Sequence, residues 1–174
     1  MKRIMVIGVS AGVGKSTFAK RLGEKLQIQV HHLDTFYWKP NWIEASRDEF
    51  VQAQEQIVDA DEWIIEGNYT DTFQVRVDKA DMLIYLELPL YVCLYRVLKR
   101  RIMYHGKTRS DMTEGCPEKI DWAFIKFILT TYYPRRSKMA ERFRSYDKKV
   151  IVLKNRKEIK AFLEEGVLQW RLES

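Results

Sequence analysis

Cysteine is scarce in this chain: Cys93 and Cys116 are the two present, and neither stands at the close spacing of a metal site. A secretory leader is not expected either. Lys2 and Arg3 do precede an apolar run, but residues 4–7 are too few for a signal core and lead into a glycine-containing loop. Two cysteines without a leader lead to the expectation of reduced thiols in a cytoplasmic protein. No stretch is long enough to span a bilayer, since the most apolar one, residues 82–95, is interrupted by Glu87 and Pro89. Nor is there an internal repeat, a low-complexity tract or a Pro/Gly/Ser linker. One domain is therefore expected over residues 1–174.

What is present fits a folded core. Hydrophobic residues make up 46% and charged residues 31%, which excludes a disordered chain. Five Trp, nine Tyr and eight Phe are many for 174 residues, enough to line a pocket as well as a core. Lys and Arg exceed Asp and Glu by 30 to 24, and a formal +6 suits an anionic partner such as a nucleotide, a phosphorylated metabolite or a nucleic acid.

Strand and helix patterns alternate. Residues 4–8 form a wholly apolar run, as a strand buried on both faces requires. Phe18, Leu22 and Leu26 then recur at helical spacing. A second strand is predicted over 28–33, a third over 63–65, a fourth over 82–88 and a fifth over 150–153. Ser46 before Arg47-Asp48-Glu49 reads as a helix start. Further helices are predicted over 90–103, over 121–143 with Pro134 bending or breaking it, and over 157–165. Residues 104–119, with Gly106, Gly115 and Pro117, read as a loop or lid. This rhythm predicts an α/β, three-layer fold with a five-stranded parallel sheet and helices on both faces.

The strongest chemical signal is Gly8-Val9-Ser10-Ala11-Gly12-Val13-Gly14-Lys15-Ser16-Thr17. A P-loop asks for Gly, four residues, then Gly-Lys-Ser/Thr. Counted back from Gly14, the first glycine should be position 9, which is Val9, so Gly8 stands one place early. From Gly12 onward the pattern is intact. Gly12 and Gly14 permit backbone N–H groups to turn inward around phosphates, and the helix that follows aims its positive end at the same anion. Gly8, Ala11, Gly12, Val13, Gly14, Lys15, Ser16 and Thr17 are thus the expected nucleotide-binding residues. Lys15 would reach the β- and γ-phosphates of ATP, and the Ser16 hydroxyl would ligate Mg²⁺.

In open parallel sheets, ligands bind beyond the carboxyl ends of the strands. Asp34 follows the second predicted strand and Glu66 ends the third, so both are expected near the phosphates as metal or acceptor groups, with Asp34 also a proton acceptor. Asn68 and Arg76 are expected to hold the acceptor, Arg76 by clamping an anionic group. Glu87 divides evenly between the site and a helix cap. His31 and His32, adjacent on a strand, face opposite sides and are expected to be structural. Trp38 and Trp42 flank Pro40 and suit either stacking on a ligand or packing on the sheet. Residues 96–109 contain Arg96, Lys99, Arg100, Arg101, Lys107 and Arg109 without one acid, as a closing lid would. Of these, Arg100, Arg101 and Arg109 are expected at the transferring phosphoryl group.

The chain resembles the DNA topology modulation proteins, which are adenylate-kinase-like P-loop proteins. The resemblance lies in residues 1–20, His32-Leu33-Asp34 with Trp38-Lys39-Pro40, and Trp63-Ile64-Ile65-Glu66-Gly67-Asn68-Tyr69. It continues through residues 90–101, Gly106-Lys107-Thr108-Arg109 and Gly115-Cys116-Pro117-Glu118-Lys119. It implies a five-stranded parallel sheet, an ATP site and a short lid at about 100–120. The family's name implies an effect on DNA supercoiling, and the basic segments 96–109 and 135–149 would then serve DNA phosphates. No helix-turn-helix signature or second domain accompanies them, and no guanine-reading Asn-Lys-x-Asp motif is present. The leading expectation is a Mg²⁺-dependent small-molecule kinase. The alternative is a nucleotide-regulated DNA-binding protein.

Overall fold

Burial on both faces decides the centre of the sheet. In the computed structural model, which describes residues 2–104, 106, 108, 111–118 and 121–166, the all-apolar run becomes β1 (Arg3–Gly8), buried from Ile4 onward. It pairs in parallel with β5 (Trp63–Glu66) on one side and β6 (Met82–Leu86) on the other, both buried at every residue. β2 (Val30–His32) extends the sheet beyond β5, and β7 (Lys149–Leu153) extends it beyond β6. The order β2-β5-β1-β6-β7 is parallel throughout. Reversal of direction on either side of β1 opens a crevice at its carboxyl end, where the glycine loop leaves the sheet.

α1 (Lys15–Leu26) follows that loop and buries Phe18, Ala19, Leu22 and Gly23. α2 (Asp34–Tyr37) is a single turn leading into a small antiparallel hairpin, β3 (Trp38–Lys39) and β4 (Ile43–Glu44). α3 (Arg47–Val58) starts in a reciprocal cap: Ser46 Oγ accepts from the Glu49 N–H at 3.2 Å, and Glu49 Oε2 accepts from the Ser46 N–H at 2.9 Å. α4 (Phe73–Val77) is short. α5 (Leu90–Met103) begins after Pro89, and α6 (Trp122–Arg144) begins at Asp121, whose carboxylate accepts from the Phe124 N–H at 2.8 Å. α7 (Arg156–Ala161) continues helically through Phe162–Gly166.

One feature narrows the sequence reading and another departs from it. Of the two outcomes expected at Pro134, a break is excluded, since α6 is helical on both sides of it. An interior proline costs about 3 kcal/mol, and burial of Ile128, Tyr132 and Met139 offsets it, with the Tyr132 hydroxyl donating to the Leu88 carbonyl at 2.9 Å. The hairpin β3–β4 was not anticipated, because two-residue strands leave no alternating pattern. Among the described residues, no helix is long and apolar enough to cross a membrane.

Candidate functional site

The glycine loop is shaped by two residues of positive φ where a Cβ would be crowded. Gly12 has φ +76° and Gly14 has φ +101°. A Cβ on Gly12 would lie 2.3 Å from the Cys93 carbonyl oxygen, and one on Gly14 would lie 2.8 Å from Arg96 Nη1. Arg96 itself donates to the Val13 carbonyl at 2.7 Å, so α5 grips the loop from outside. The residue in excess is absorbed by the sheet rather than bulged: the Val9 N–H donates to the Leu86 carbonyl at 2.9 Å, and Val9 is fully buried. No side chain caps the start of α1 and no acid stands in its first turn, which keeps that end electropositive.

Ala11, Gly12, Val13, Gly14, Lys15, Ser16 and Thr17 line a cleft of about 960 Å³. Gly8 lies behind it, with its N–H donated to Asn68 Oδ1 at 2.9 Å, so Asn68 fastens the end of β1 to the loop after β5 while also lining the cleft. At the floor stands Glu66, 4% exposed. Its Oε1 lies 3.8 Å from Lys15 Nζ, and its Oε2 accepts from Ser16 Oγ at 3.2 Å and meets His32 Nδ1 at 3.0 Å. Burial opposes the His32 proton, but the hydrogen bond and charge of Glu66, helped by Asp111 and Asp34, more than offset it and raise its pKa. His31 turns the other way, towards Phe36, and burial lowers its pKa. In the parallel register His32 stands opposite Glu66 and lines the cleft.

Asp34, at the start of α2, also lines the cleft, and its Oδ1 accepts from the Tyr69 hydroxyl at 2.6 Å. Burial, then the charge and hydrogen bond of Asp34, raise the Tyr69 pKa, so the phenol keeps its proton and acts as donor. Trp38 and Trp42 line the same end, edge to face with centroids 5.3 Å apart.

The expected arginines separate. Arg76 is not in the cleft wall: it is fully buried, donating to the Gly67 and Tyr69 carbonyls at 2.9 Å each and to the Asn68 carbonyl at 3.4 Å. Burial pulls its pKa down to about 10. The expected clamp on an acceptor anion is thus corrected to a brace for the chain that carries Asn68. Arg100 lines the cleft, with Nε 2.7 Å from Glu118 Oε1. Arg101 is outside the cleft wall and donates to the Glu118 carbonyl at 3.0 Å, so its expected phosphate contact is likewise corrected. Arg109 and Lys107 lie outside the described residues. Glu87 pairs with Arg136 at 3.0 Å and takes no part in the cleft.

Of the loop or lid expected over 104–119, residues 111–118 form a strap whose anchoring sequence reasoning did not foresee. It lies against the hairpin: the Asn41 N–H donates to the Gly115 carbonyl at 3.0 Å, and Trp42 Nε1 donates to the Pro117 carbonyl at 3.2 Å. Cys116 Sγ meets the Lys39 carbonyl at 3.2 Å, and Thr113 Oγ1 donates to the Thr35 carbonyl at 3.1 Å. Asp111 and Met112 of the strap line the cleft. The acid-free run from Arg96 had hinted at a lid. Its anchoring through main-chain carbonyls left no mark in the sequence.

Comparison with solved structures gives full-length likenesses. A sugar kinase from Janibacter sp. HTCC2649 superposes with TM-score 0.55 at 16% identity, over 98% of this chain and 95% of that one. A gluconokinase from Sinorhizobium meliloti 1021 gives 0.54 at 14%, over 99% and 97%. A shikimate kinase from Aquifex aeolicus vf5 gives 0.57 at 16%, over 98% and 97%. The fold is that of the P-loop kinases. No family model matches the chain, and no curated protein matches it either, so the narrower likeness to DNA topology modulation proteins stays a resemblance.

Proposed function

We propose that this chain is a single-domain, cytoplasmic phosphotransferase that moves the γ-phosphoryl group of ATP, with Mg²⁺, to a hydroxyl of a small acceptor. The observation that carries the reading is the convergence of Lys15, Ser16 and His32 on one buried carboxylate, Glu66, between the glycine loop and Asp34. Glu66 supplies negative charge beside Lys15 in its largely buried position. Triphosphate on the inward N–H groups and the end of α1 would give Lys15 a stronger partner and release the Ser16 hydroxyl.

The residues present fit Mg²⁺. Ser16 Oγ and Glu66 are hard oxygen donors 3.2 Å apart. Mg²⁺ commonly keeps waters and phosphate oxygens as its other ligands, so few protein donors are required. Bound Mg²⁺ would neutralise charge on the β- and γ-phosphates. In the transfer, the acceptor oxygen bonds to the γ-phosphorus, the bond to the ADP oxygen breaks, and the hydroxyl proton passes to Asp34. The Tyr69 hydroxyl holds the Asp34 carboxylate in place. Transfer of this kind depends on positioning and charge neutralisation, and Arg100 at the cleft wall adds to the latter.

DNA binding is less well supported. In the two basic segments, Arg96 is turned onto Val13, Arg100 and Arg101 onto Glu118, and Arg136 onto Glu87, while Arg135 and Arg142 lie over Phe127 and Phe73. Guanidinium groups engaged within the chain do not make a phosphate-binding stripe.

ADP release measured across hydroxylated small molecules, with and without EDTA, tests the proposal. Acceptor-dependent release that EDTA removes is expected, with Asp34→Asn losing turnover while retaining ATP affinity. ATP turnover that no acceptor changes would refute phosphoryl transfer to a small molecule.

A further inference from the structure

The side chain of Asn68 has one end in use and one end open. Its Oδ1 accepts from the Gly8 N–H at 2.9 Å, and because a main-chain N–H can only donate, the amide cannot be turned about: oxygen meets β1 and nitrogen points away from it. Nδ2 has no hydrogen-bond partner among the described residues and is not sealed from solvent, and Asn68 lines the cleft. What Asn68 offers there is a neutral donor that cannot accept.

The donor is held at both ends. The Gly67 N–H donates to the Val6 carbonyl at 3.2 Å, and the buried Arg76 donates to the Gly67, Asn68 and Tyr69 carbonyls. The main chain of Asn68 is tied to Arg76 and its side chain to the start of the glycine loop, so its position is set before any ligand enters. Glu66, two residues earlier, lies against Lys15 and Ser16, the groups expected at the γ-phosphate and its metal. Ionised phosphoryl oxygens only accept, which matches a group that only donates. The acceptor's hydroxyl oxygen is the poorer match, since a hydrogen bond donated to it would draw on the electron pair that must attack phosphorus.

Resting on the phosphotransferase reading, we propose that Asn68 is a catalytic residue whose Nδ2 donates a hydrogen bond to a γ-phosphoryl oxygen and keeps it through the transfer, giving up no proton. Two variants separate this role from the fastening of Gly8. Asn68→Asp keeps an oxygen for the Gly8 N–H but has no donor, and Asn68→Ala removes both without adding charge. Calorimetry would give the affinities for a non-hydrolysable ATP analogue and for ADP, each with Mg²⁺, beside the kcat for ADP release. Both variants should lower the ratio of triphosphate to diphosphate affinity about tenfold, the loss of one charge-assisted bond, and should lower kcat by more. A residue that only fastens the loop would leave Asn68→Asp with the wild-type ratio and kcat, and Asn68→Ala would weaken both nucleotides alike. Either result would overturn the inference and leave the phosphotransferase reading standing. A lowered ratio, in a protein whose wild type releases no ADP with any acceptor, would uphold the γ-phosphoryl contact and overturn the reading.

Discussion

Replacing Arg76 with methionine should destabilise the protein by about 2 kcal/mol and weaken the cleft without touching its wall. The wild-type guanidinium makes two hydrogen bonds of 2.9 Å, to the Gly67 and Tyr69 carbonyls, and a longer one to Asn68. Charge-assisted bonds of this kind contribute roughly 1.5–3 kcal/mol each, so the two short ones amount to about 3–6 kcal/mol. Against this stands the burial of the charge, which lowers the pKa from 12.5 to about 10. At about 1.4 kcal/mol per unit, that burial costs roughly 3 kcal/mol, and methionine recovers it. The difference, together with the Gly67 carbonyl losing the guanidinium donor, gives a loss of about 2 kcal/mol. Urea denaturation monitored by circular dichroism measures it, with the slope unchanged and the midpoint lowered. Release of the turn should also loosen Asn68 from the Gly8 N–H and raise the KM for ATP several-fold. Stability within 0.5 kcal/mol of wild type would refute the bracing role. Unchanged stability with lost acceptor binding alone would return Arg76 to the role of an acceptor clamp.

Other outcomes follow from single contacts. Lys15→Ala should lower ATP affinity at least tenfold by isothermal calorimetry with the fold retained, and an unchanged affinity would sink the site. Asp81 is opposed by partial burial but held at about pKa 2 by Arg3, through two side-chain hydrogen bonds of 2.7 and 3.2 Å, and by the N–H groups of Lys2 and Arg3. Its folded pKa is depressed, so the stability it contributes is present above the ordinary value of 3.8 and is lost as pH falls towards 2. Discounted for solvent screening, Asp81→Asn should cost about 1 kcal/mol at pH 7, a cost that shrinks as pH falls through about 2, read from denaturation midpoints across pH. Burial pushes the Cys93 thiol up to about 11, against the opposing pull of Arg96 and Lys15, and Cys116 is 1% exposed. Neither thiol should react with a chromogenic disulfide at pH 8 until denaturant is added, and rapid native labelling would contradict this packing.

The parts of the molecule that were legible in the sequence are those where one residue type answers one physical demand. Buried parallel strands need unbroken apolar runs, and β1, β5 and β6 show them. Positive φ needs glycine, and Gly12 and Gly14 mark the loop. Asp34 and Glu66 were singled out because they follow or end strands, and both line the cleft. The rest was hidden because it depends on what a side chain meets far along the chain. Arg76 offers the same five donors whether it faces a ligand or three carbonyls, and only its burial decides. His32 gains its place from the register between β2 and β5, which no local pattern records. The strap is fixed mainly through main-chain carbonyls, a group every residue possesses.

Helix α5 has a mechanical consequence. Over about one helical turn, roughly 6 Å along its axis, it carries Arg96 on the Val13 carbonyl and Arg100 and Arg101 on Glu118. The backbone of Gly12 presses against the same helix at Cys93. A helix does not stretch, so any displacement of the glycine loop by incoming phosphates is passed along α5 to the strap that closes the opposite end of the cleft. Occupancy of one half would then be sensed by the other before the acceptor arrives, favouring nucleotide as the first substrate to bind. Hydrogen exchange in residues 111–118 should slow when an ATP analogue is added alone. Exchange that slows only after the acceptor joins would show that the two ends move independently.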